Sequence, residues 1–208
     1  YTVNDSLAAI LSNQYHQEFK VVRNVPILVH HEKSKVRKEK FVLYQGAINK
    51  GRGLEELVLA MKNLSINLVL IGEGDLTKKI KQLIADHNLE NQVSMKGFVE
   101  AKKLREYTSN AYIGYNLLDQ HSKSYYYSLS NKFFDYIALG LPVLNNYPGW
   151  IAEMIRLENC GIVVAPGSAE EFVQALIYFR DNPEILEVMS INSRSLSMTQ
   201  FNRTDLSN

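Results

Sequence analysis

FVLYQGAINKGRGLEELVLAM, residues 41–61, sets three kinds of sequence in a row. A mostly apolar run of five comes first, then a loop with glycines at 46, 51 and 53, then an apolar pattern at helical spacing from Leu54 onward. A short continuous apolar run suits a strand covered on both faces, and the change of period behind a Gly-rich turn marks passage into a helix. The same unit recurs outward from here. NLVLI (67–71), QVSMKG (92–97), AYIGYN (111–116), PVLNN (142–146) and GIVVA (161–165) read as further short strands. Helical patterns fill 54–64, 76–88, 101–110, 131–140 and 150–156, and 169–182 and 183–195 close the run. Six alternations predict an α/β fold: a Rossmann-like, doubly wound parallel sheet of about six strands with helices on both faces. Asp181-Asn182-Pro183 separates the closing helices, with Asn182 as cap and Pro183 at the first helical position.

The first forty residues are organised differently. NDSLAAILSNQY (4–15) reads as a helix capped by Asn4, Asp5 or Ser6, FKVVRNVPIL (19–28) as a candidate strand, and HHEKSKVRKEK (30–40) as a charged linker. The opening YTVNDS, without an initiating Met, reads as the start of a fragment. At 208 residues the chain is long enough for one good core and an appendage, and its 46% apolar content is that of an ordinary globular protein. A net charge of +1 with both signs interspersed gives no basis for a nucleic-acid surface or a basic membrane patch. One cysteine, Cys160, excludes an internal disulfide and offers no zinc site. No apolar stretch reaches the ~18 residues that span a bilayer. The reducing cytosol is the expected compartment.

In open parallel sheets, ligands bind beyond the carboxyl ends of the strands, so the loops there are the ones to read for chemistry. GAINKGRG (46–53) approaches the spacing of a phosphate-binding P-loop, but Arg52 stands where that motif needs lysine and Gly53 where it needs a magnesium-binding hydroxyl. A nucleotide triphosphatase is therefore disfavoured. What survives is a Gly-rich loop whose amides can approach an anion, with Arg52 as a bidentate fork; the alternative is a plain turn with a solvated arginine. In GEGD (72–75), Thr77 takes the place of the third glycine of the dinucleotide fingerprint, which disfavours a nicotinamide enzyme. Glu73 faces the ligand, or Gly72 and Gly74 merely make the turn. The loop 117–130 is long for a connector, and its three tyrosines either pack beneath it or touch a sugar. In NKFFDYIALG (131–140), Asn131, Lys132 and Asp135 fall within about 100° of helical arc. A lysine at this end opposes the helix dipole, so Lys132 points into water or an anion sits there. With an acceptor half a turn deeper, the helix would suit a nucleotide: diphosphate at Lys132, paired ribose hydroxyls at Asp135. The bland alternative is a Lys132–Asp135 surface pair. His30, His31 and His87 read as surface residues, Trp150 as packing at a helix start, Met61, Met154 and Met189 as core, and Cys160 as buried and unreactive.

Six stretches together carry a resemblance: GAINKGRGLEELVLAM, LVLIGEGD, VSMKGFVEAKKLREYTSNAYIGY, SNKFFDYIALGLPVL, GIVVAPGSAEEFVQAL and NPEILEVM. In this order and spacing they resemble the C-terminal, donor-binding domain of GT-B-fold glycosyltransferases, most similar to glycosyltransferase family 4 (group 1). Residues 1–30, with VVRNVP, resemble the end of a preceding acceptor domain and the crossover from it. The resemblance implies a domain tail and linker at 1–40, a nucleotide-sugar-binding domain at 41–190 and a C-terminal tail at 191–208. It places Gly46 and Arg52 at the diphosphate, with Ala47 at the position of the family's arginine and Lys132 supplying that charge. Asp135 matches the ribose-binding glutamate, and Tyr127 falls where a first glutamate would contact the sugar. Ser128, Leu129, Ser130 and Asn131 match the segment along the sugar and diphosphate, Gly97, Phe98 and Val99 the segment edging the base, and Glu73 a loop facing the ligand.

The implied activity is a retaining sugar transfer from a nucleotide-diphosphate sugar, without metal or cofactor. The implied acceptor is a saccharide or a lipid-linked molecule held by the preceding domain, as in polysaccharide biosynthesis. Peripheral contact of the full-length protein with the inner face of the membrane is a further expectation, as is inactivity of the fragment alone. Three rivals remain open at this point: a nucleotide-sugar 2-epimerase, for which His121 is the one candidate-loop histidine; a nucleotide-sugar-binding module without transferase activity; and a plain flavodoxin-like scaffold.

Overall fold

The structure, a computed structural model, describes residues 1–28, 40–118 and 129–203. Helix α1 (Asp5–Tyr15) is capped by Asn4, whose Oδ1 accepts from the Leu7 amide at 2.7 Å. Then come β1 (Phe41–Gln45), α2 (Leu54–Ala60) running into a 3₁₀ turn, β2 (Asn67–Ile71), α3 (Thr77–Asp86), β3 (Val93–Met95) and α4 (Ala101–Asn110). The second half holds β4 (Ile113–Asn116), α5 (Asn131–Ala138), β5 (Val143–Asn145), α6 (Trp150–Leu157), β6 (Gly161–Val163), α7 (Ala169–Asp181) and α8 (Pro183–Gln200). The six strands form one parallel sheet in the order β3-β2-β1-β4-β5-β6. The fold is α/β and Rossmann-like, with the strand order reversing between β1 and β4.

Alternation along the central strands sorts side chains into two layers, because successive residues of a strand face opposite ways. Val42, Tyr44, Leu68 and Leu70 face the layer of α2, α3 and α7, while Phe41, Leu43, Val69 and Ile71 face α4, α5 and α6. Helix α8 closes both: Leu186 and Met189 belong to the first layer, Leu196 to the second. Helix α5 lies tightly on the sheet, since a Cβ on Gly114 of β4 would sit 2.5 Å from the Tyr136 ring. The Tyr136 hydroxyl reaches the carbonyls of Leu43 and Tyr115 at 3.3 Å each. Phe133 and Phe134 stack edge-on and meet Trp150, which with Phe201 completes an aromatic cluster. Fully burying each such ring contributes roughly 1.5–3 kcal/mol, so α5 is anchored by its apolar faces and its mouth residues are held in place.

Four expectations are corrected. FKVVRNVPIL forms no strand; among the described residues only Thr2 and Val21 bridge, and Val25 is buried in the second layer. Strands β3 to β6 are shorter than the apolar runs that mark them; Gln92 and Pro142 stand just before β3 and β5 and lend their carbonyls to the Leu68 and Gly114 amides. Asn182 does precede Pro183 at the start of α8, but its side chain turns back to donate to the Tyr178 carbonyl at 2.8 Å instead of capping α8. The last helix also runs to Gln200, past the expected end at 195.

Candidate functional site

The carboxyl ends of β1, β2 and β3 are tied together beyond their last residues. Gly46 donates its amide to the Ile71 carbonyl at 2.9 Å, Ile48 to Glu73 at 3.1 Å, and Gly72 to Gly97 at 2.8 Å. The parallel ladder thus continues into the turns and brings Gly46, Glu73 and Gly97 side by side. This close approach needs glycine at 72. Its φ is +124°, and a Cβ there would stand 2.0 Å from the Gly46 carbonyl oxygen.

Lys132 stands over this edge, and the Arg52 charge acts on it. The Lys132 ammonium lies 4.6 Å from the centre of the Tyr44 ring, and its stem passes Gly46, where a Cβ would touch Cδ at 3.6 Å. The Lys132 side chain is only partly exposed, and burial, with the Arg52 charge beside it, pushes its pKa down to about 7. Neighbouring cations disfavour each other's charge, and the sign of that effect reverses when an anion binds. Helix α5 carries no acidic residue in its first turn and no side-chain cap, so its positive end is not complemented from within. At α2 the opposite holds, since Glu55 and Glu56 occupy the first turn. Helices α3 and α4 share that lack with α5, and what sets α5 apart is the partly buried Lys132 at its start.

Asp135 accepts from Gln45 Nε2 at 3.0 Å, and Gln45 Oε1 in turn accepts from the Thr108 hydroxyl at 2.9 Å. Burial raises the Asp135 carboxyl to about 6, the Gln45 hydrogen bond opposing the shift. No Lys132–Asp135 ion pair forms among the described residues, so the surface-pair alternative is set aside. Arg52, Lys132 and Asp135 therefore stand around the tip of β1: Lys132 through Gly46, Arg52 through Lys132 and Tyr44, Asp135 through Gln45.

Glu73 is exposed, with Oε1 3.2 Å from where a Gly97 Cβ would be. Phe98 stands in solvent at 89% exposure, while Val99 packs on the second core layer. Leu129 and Ser130 are partly buried at the mouth of α5. Asn131 is exposed, and its Oδ1 accepts from Asn24 Nδ2 at 3.3 Å, which engages it with the segment before the sheet. Tyr127, Ser128 and His121 lie outside the described residues. Cys160 is buried, its thiol pushed up to about 12 by burial first and Glu158 second. A cavity of about 320 Å³ opens beside the site, between the starts of α2 and α7, with Lys50, Gly53, Glu56, Tyr115, Asn146 and Phe172 among its walls. Arg52, Lys132 and Asp135 do not line it. Reading the sequence missed Gln45, the partner of Asp135, and Tyr147, which feels the Arg52 charge. A lone glutamine ending an apolar strand was a signal for the first; nothing local marked the second.

The family described as "Glycosyl transferases group 1" matches residues 28–196 of this chain. The chain belongs to that family. Among relatives, this group 1 chain is similar to the 2-deoxystreptamine N-acetyl-D-glucosaminyltransferase of Niallia circulans, 22% identical over 174 residues that cover 81% of the chain and 43% of that protein. The chain thus spans less than half the length of that relative. In fold, the group 1 chain is similar to a mutant of S. aureus TarM crystallised with Fondaparinux, alpha-GlcNAc-glycerol and UDP, with a TM-score of 0.80. That match is 13% identical and covers 99% of this chain and 42% of that one. The C-terminal domain of the group 1 protein LpcC from Francisella tularensis gives a TM-score of 0.66 at 19% identity, over 80% of this chain and 87% of that domain. Among the described residues, no helix of the group 1 chain is long and apolar enough to cross a membrane.

Proposed function

We propose that this chain is the donor-binding part of a retaining glycosyltransferase, moving a sugar from a nucleotide-diphosphate sugar to a saccharide or lipid-linked acceptor. The observation that carries the reading is the grouping of Arg52, Lys132 and Asp135 around the tip of β1, at the uncapped positive end of α5. Relatives solved with UDP, such as TarM and the pneumococcal O-GlcNAc transferase GtfA, support a nucleotide diphosphate as the ligand class. In this reading Arg52, Lys132 and the α5 amides hold the diphosphate, and Asp135 accepts from the ribose hydroxyls. Gly97 and Val99 edge the base with their main chain, and Phe98 offers a ring to it. Leu129 and Ser130 run along the sugar.

The charge that grows as the sugar departs is on the diphosphate, and fixed cations in a site closed to water stabilise it. No metal is required by that chemistry. A second reading, a nucleotide-sugar-binding module without transfer, is favoured by one observation: Ala47 brings only an exposed backbone carbonyl, bonded by the Tyr44 hydroxyl at 2.5 Å, where the resemblance places an arginine. Transfer by the full-length protein distinguishes the two.

Titration calorimetry with nucleoside, nucleoside diphosphate and donor tests the site. Asp135→Ala is expected to weaken the nucleoside by ~10-fold, consistent with loss of hydrogen bonds to a charged acceptor. In the wild type that affinity falls as pH drops through about 6, because the carboxylate is lost as it protonates. An Asp135→Ala protein that binds nucleoside unchanged overturns the ribose assignment.

Lys132 gives a second signature. Its pKa of about 7 leaves it largely neutral above that pH in the free protein, and a diphosphate raises it. Binding at pH about 8 is expected to take up close to one proton, read from enthalpies in buffers of different ionisation heat. Uptake shrinks toward pH 6, where Lys132 is already charged, and disappears in Lys132→Ala. Binding without proton uptake counts against the contact.

A further inference from the structure

Gln45, the last residue of β1, carries a buried amide, 4% exposed, whose two ends reach different helices. Nε2 donates to Asp135 Oδ2 on α5 at 3.0 Å, and Oε1 stands 2.9 Å from the hydroxyl of Thr108 on α4, itself 1% exposed. The main chain is tied to α5 as well, since the Gln45 amide N–H donates to the Tyr136 hydroxyl at 3.3 Å. Asp135 dictates the direction of this chain. An ionised carboxylate only accepts, so Nε2 must face it, Oε1 must face Thr108, and Thr108 must donate. Thr108 has one proton and a second acceptor within reach, the Leu104 carbonyl one turn back at 2.8 Å, the ordinary partner of a helical threonine. Giving the proton to Gln45 forgoes that local bond. Both ends of the amide are thus held by side chains, and the held end converges on Asp135.

A buried carboxyl has two handicaps as a ligand acceptor: burial favours its neutral form, and rotation about its terminal bond blurs the aim of its lone pairs. The bond from Gln45 acts against both. Among the described residues it is the one hydrogen bond to this carboxylate, and it takes Oδ2, which leaves Oδ1 for ligand hydroxyls. We propose that Gln45, held by Thr108, is a positioning residue that keeps the Asp135 carboxylate charged and aimed as the acceptor for the ribose hydroxyls. The inference rests on the reading of Asp135 as the ribose acceptor and adds two residues, on β1 and α4, that act through it. Other ionisable neighbours do not take this role. Lys132, one turn back on α5, makes no ion pair with Asp135 among the described residues, and the Arg52 charge acts on Tyr44 and Lys132. Tyr44 of β1 and Tyr136 of α5 stay neutral, burial raising both. On α4, Lys102, Lys103, Arg105 and Glu106 are exposed, and Tyr107 packs on the second core layer.

The test uses the full-length protein with uridine, guanosine and adenosine as probes, by calorimetry between pH about 5 and about 9. Gln45→Met keeps length and bulk while removing the amide, and Thr108 can return its proton to the Leu104 carbonyl, so that hydroxyl is not orphaned. Burial then acts on Asp135 unopposed. The midpoint of the affinity profile is expected to rise by ~1–2 pH units from about 6, the shift that corresponds to losing one hydrogen bond to a charged group. At pH about 7 the best-binding nucleoside weakens by ~2- to 10-fold, and most of the loss is regained at pH about 9; a general defect of the fold would weaken it at every pH. Thr108→Val is expected to lose ~2- to 5-fold, because Gln45 Oε1 then lacks its donor. Thr108→Ser restores that loss, and Thr108→Val adds nothing in the Gln45→Met background, since Thr108 acts only through Gln45. A carbon-13 NMR titration of the Asp135 carboxyl reads the same midpoint without ligand. An unshifted midpoint in Gln45→Met, a loss equal at every pH, or losses that multiply in the double variant overturns the inference. A wild type that binds none of the nucleosides, or binds them independently of pH and of Asp135→Ala, brings down the ribose reading and the inference with it; a pH-dependent wild type that Gln45→Met leaves unchanged brings down the inference alone. Thermal unfolding separates loss of binding from loss of fold, and the Thr108→Val and Thr108→Ser pair supplies the answer should Gln45→Met unfold.

Discussion

In the full-length protein, Lys132→Ala is expected to lower the turnover of sugar transfer by ~10²- to 10³-fold, the range found when one pre-placed charge stabiliser is removed from a transition state. Two features put Lys132 at the upper end. The first loop offers Arg52 but, with Ala47, no cation at the position of the family's arginine, and its Lys50 lines the neighbouring cavity instead, so each remaining charge carries more of the leaving diphosphate. The lysine is also partly buried and depressed to about 7, so its interaction with an anion is little screened by water. The loss belongs mainly to turnover, because negative charge on the diphosphate rises as the glycosidic bond breaks. Nucleoside affinity is expected to stay within about twofold, since no ion pair ties the ammonium to Asp135 one turn along α5. Steady-state kinetics with varied donor, set beside nucleoside binding, make the measurement. Equal losses in turnover and nucleoside affinity would move Lys132 out of the phosphate site and into general support of the fold.

Gly72→Ala is expected to cost stability on the order of 4 kcal/mol or more, in the class of substitutions that combine backbone strain with overpacking. The added methyl would sit 2.0 Å from the Gly46 carbonyl oxygen and 2.9 Å from its carbon, and neither backbone atom can rotate aside. The φ of +124° adds strain of its own. For a chain of this length that corresponds to a fall in Tm of roughly 8–16 °C. Gly97→Ala is the control. Its Cβ meets only the flexible Glu73 carboxylate, at 3.2 Å, and its φ of +63° costs ~1–2 kcal/mol. Thermal unfolding of the two side by side reads the difference. A Gly72 variant no less stable than the Gly97 variant would mean that the turns after β1 and β2 are not held together.

The alternation of apolar runs with helical stretches made the sheet legible, because strands covered on both faces cannot hide their composition. Strand order followed from the same pattern only as a class; the pairing of β1 with both β2 and β4 is a tertiary fact. Lys132 was legible as an anomaly, a cation at the wrong end of a helix. Its partners were not: Arg52 lies eighty residues earlier and meets it only once the sheet is wound. Asp135 was found by its spacing from Lys132, and its support by Gln45 and Thr108 appeared only when β1 and α4 were set beside α5. The candidate strand at 19–28 failed for a physical reason. Its apolar residues are used one at a time, Val25 inward and Val22 and Ile27 outward, without a neighbouring strand to pair with.

The stitching of the first three turns restricts how such a site can change its preference. The turns that hold Gly46, Glu73 and Gly97 share backbone bonds, so in the proposed reading a shift of main chain at the base end is passed to the phosphate end. A new base cannot then be accommodated by reshaping the turn at 97 without loosening the grip on the diphosphate. Phe98 escapes that restriction, since its ring projects free of the stitched backbone. If it meets the base as proposed, it is the position at which selection can exchange one base for another and leave the rest of the machinery undisturbed.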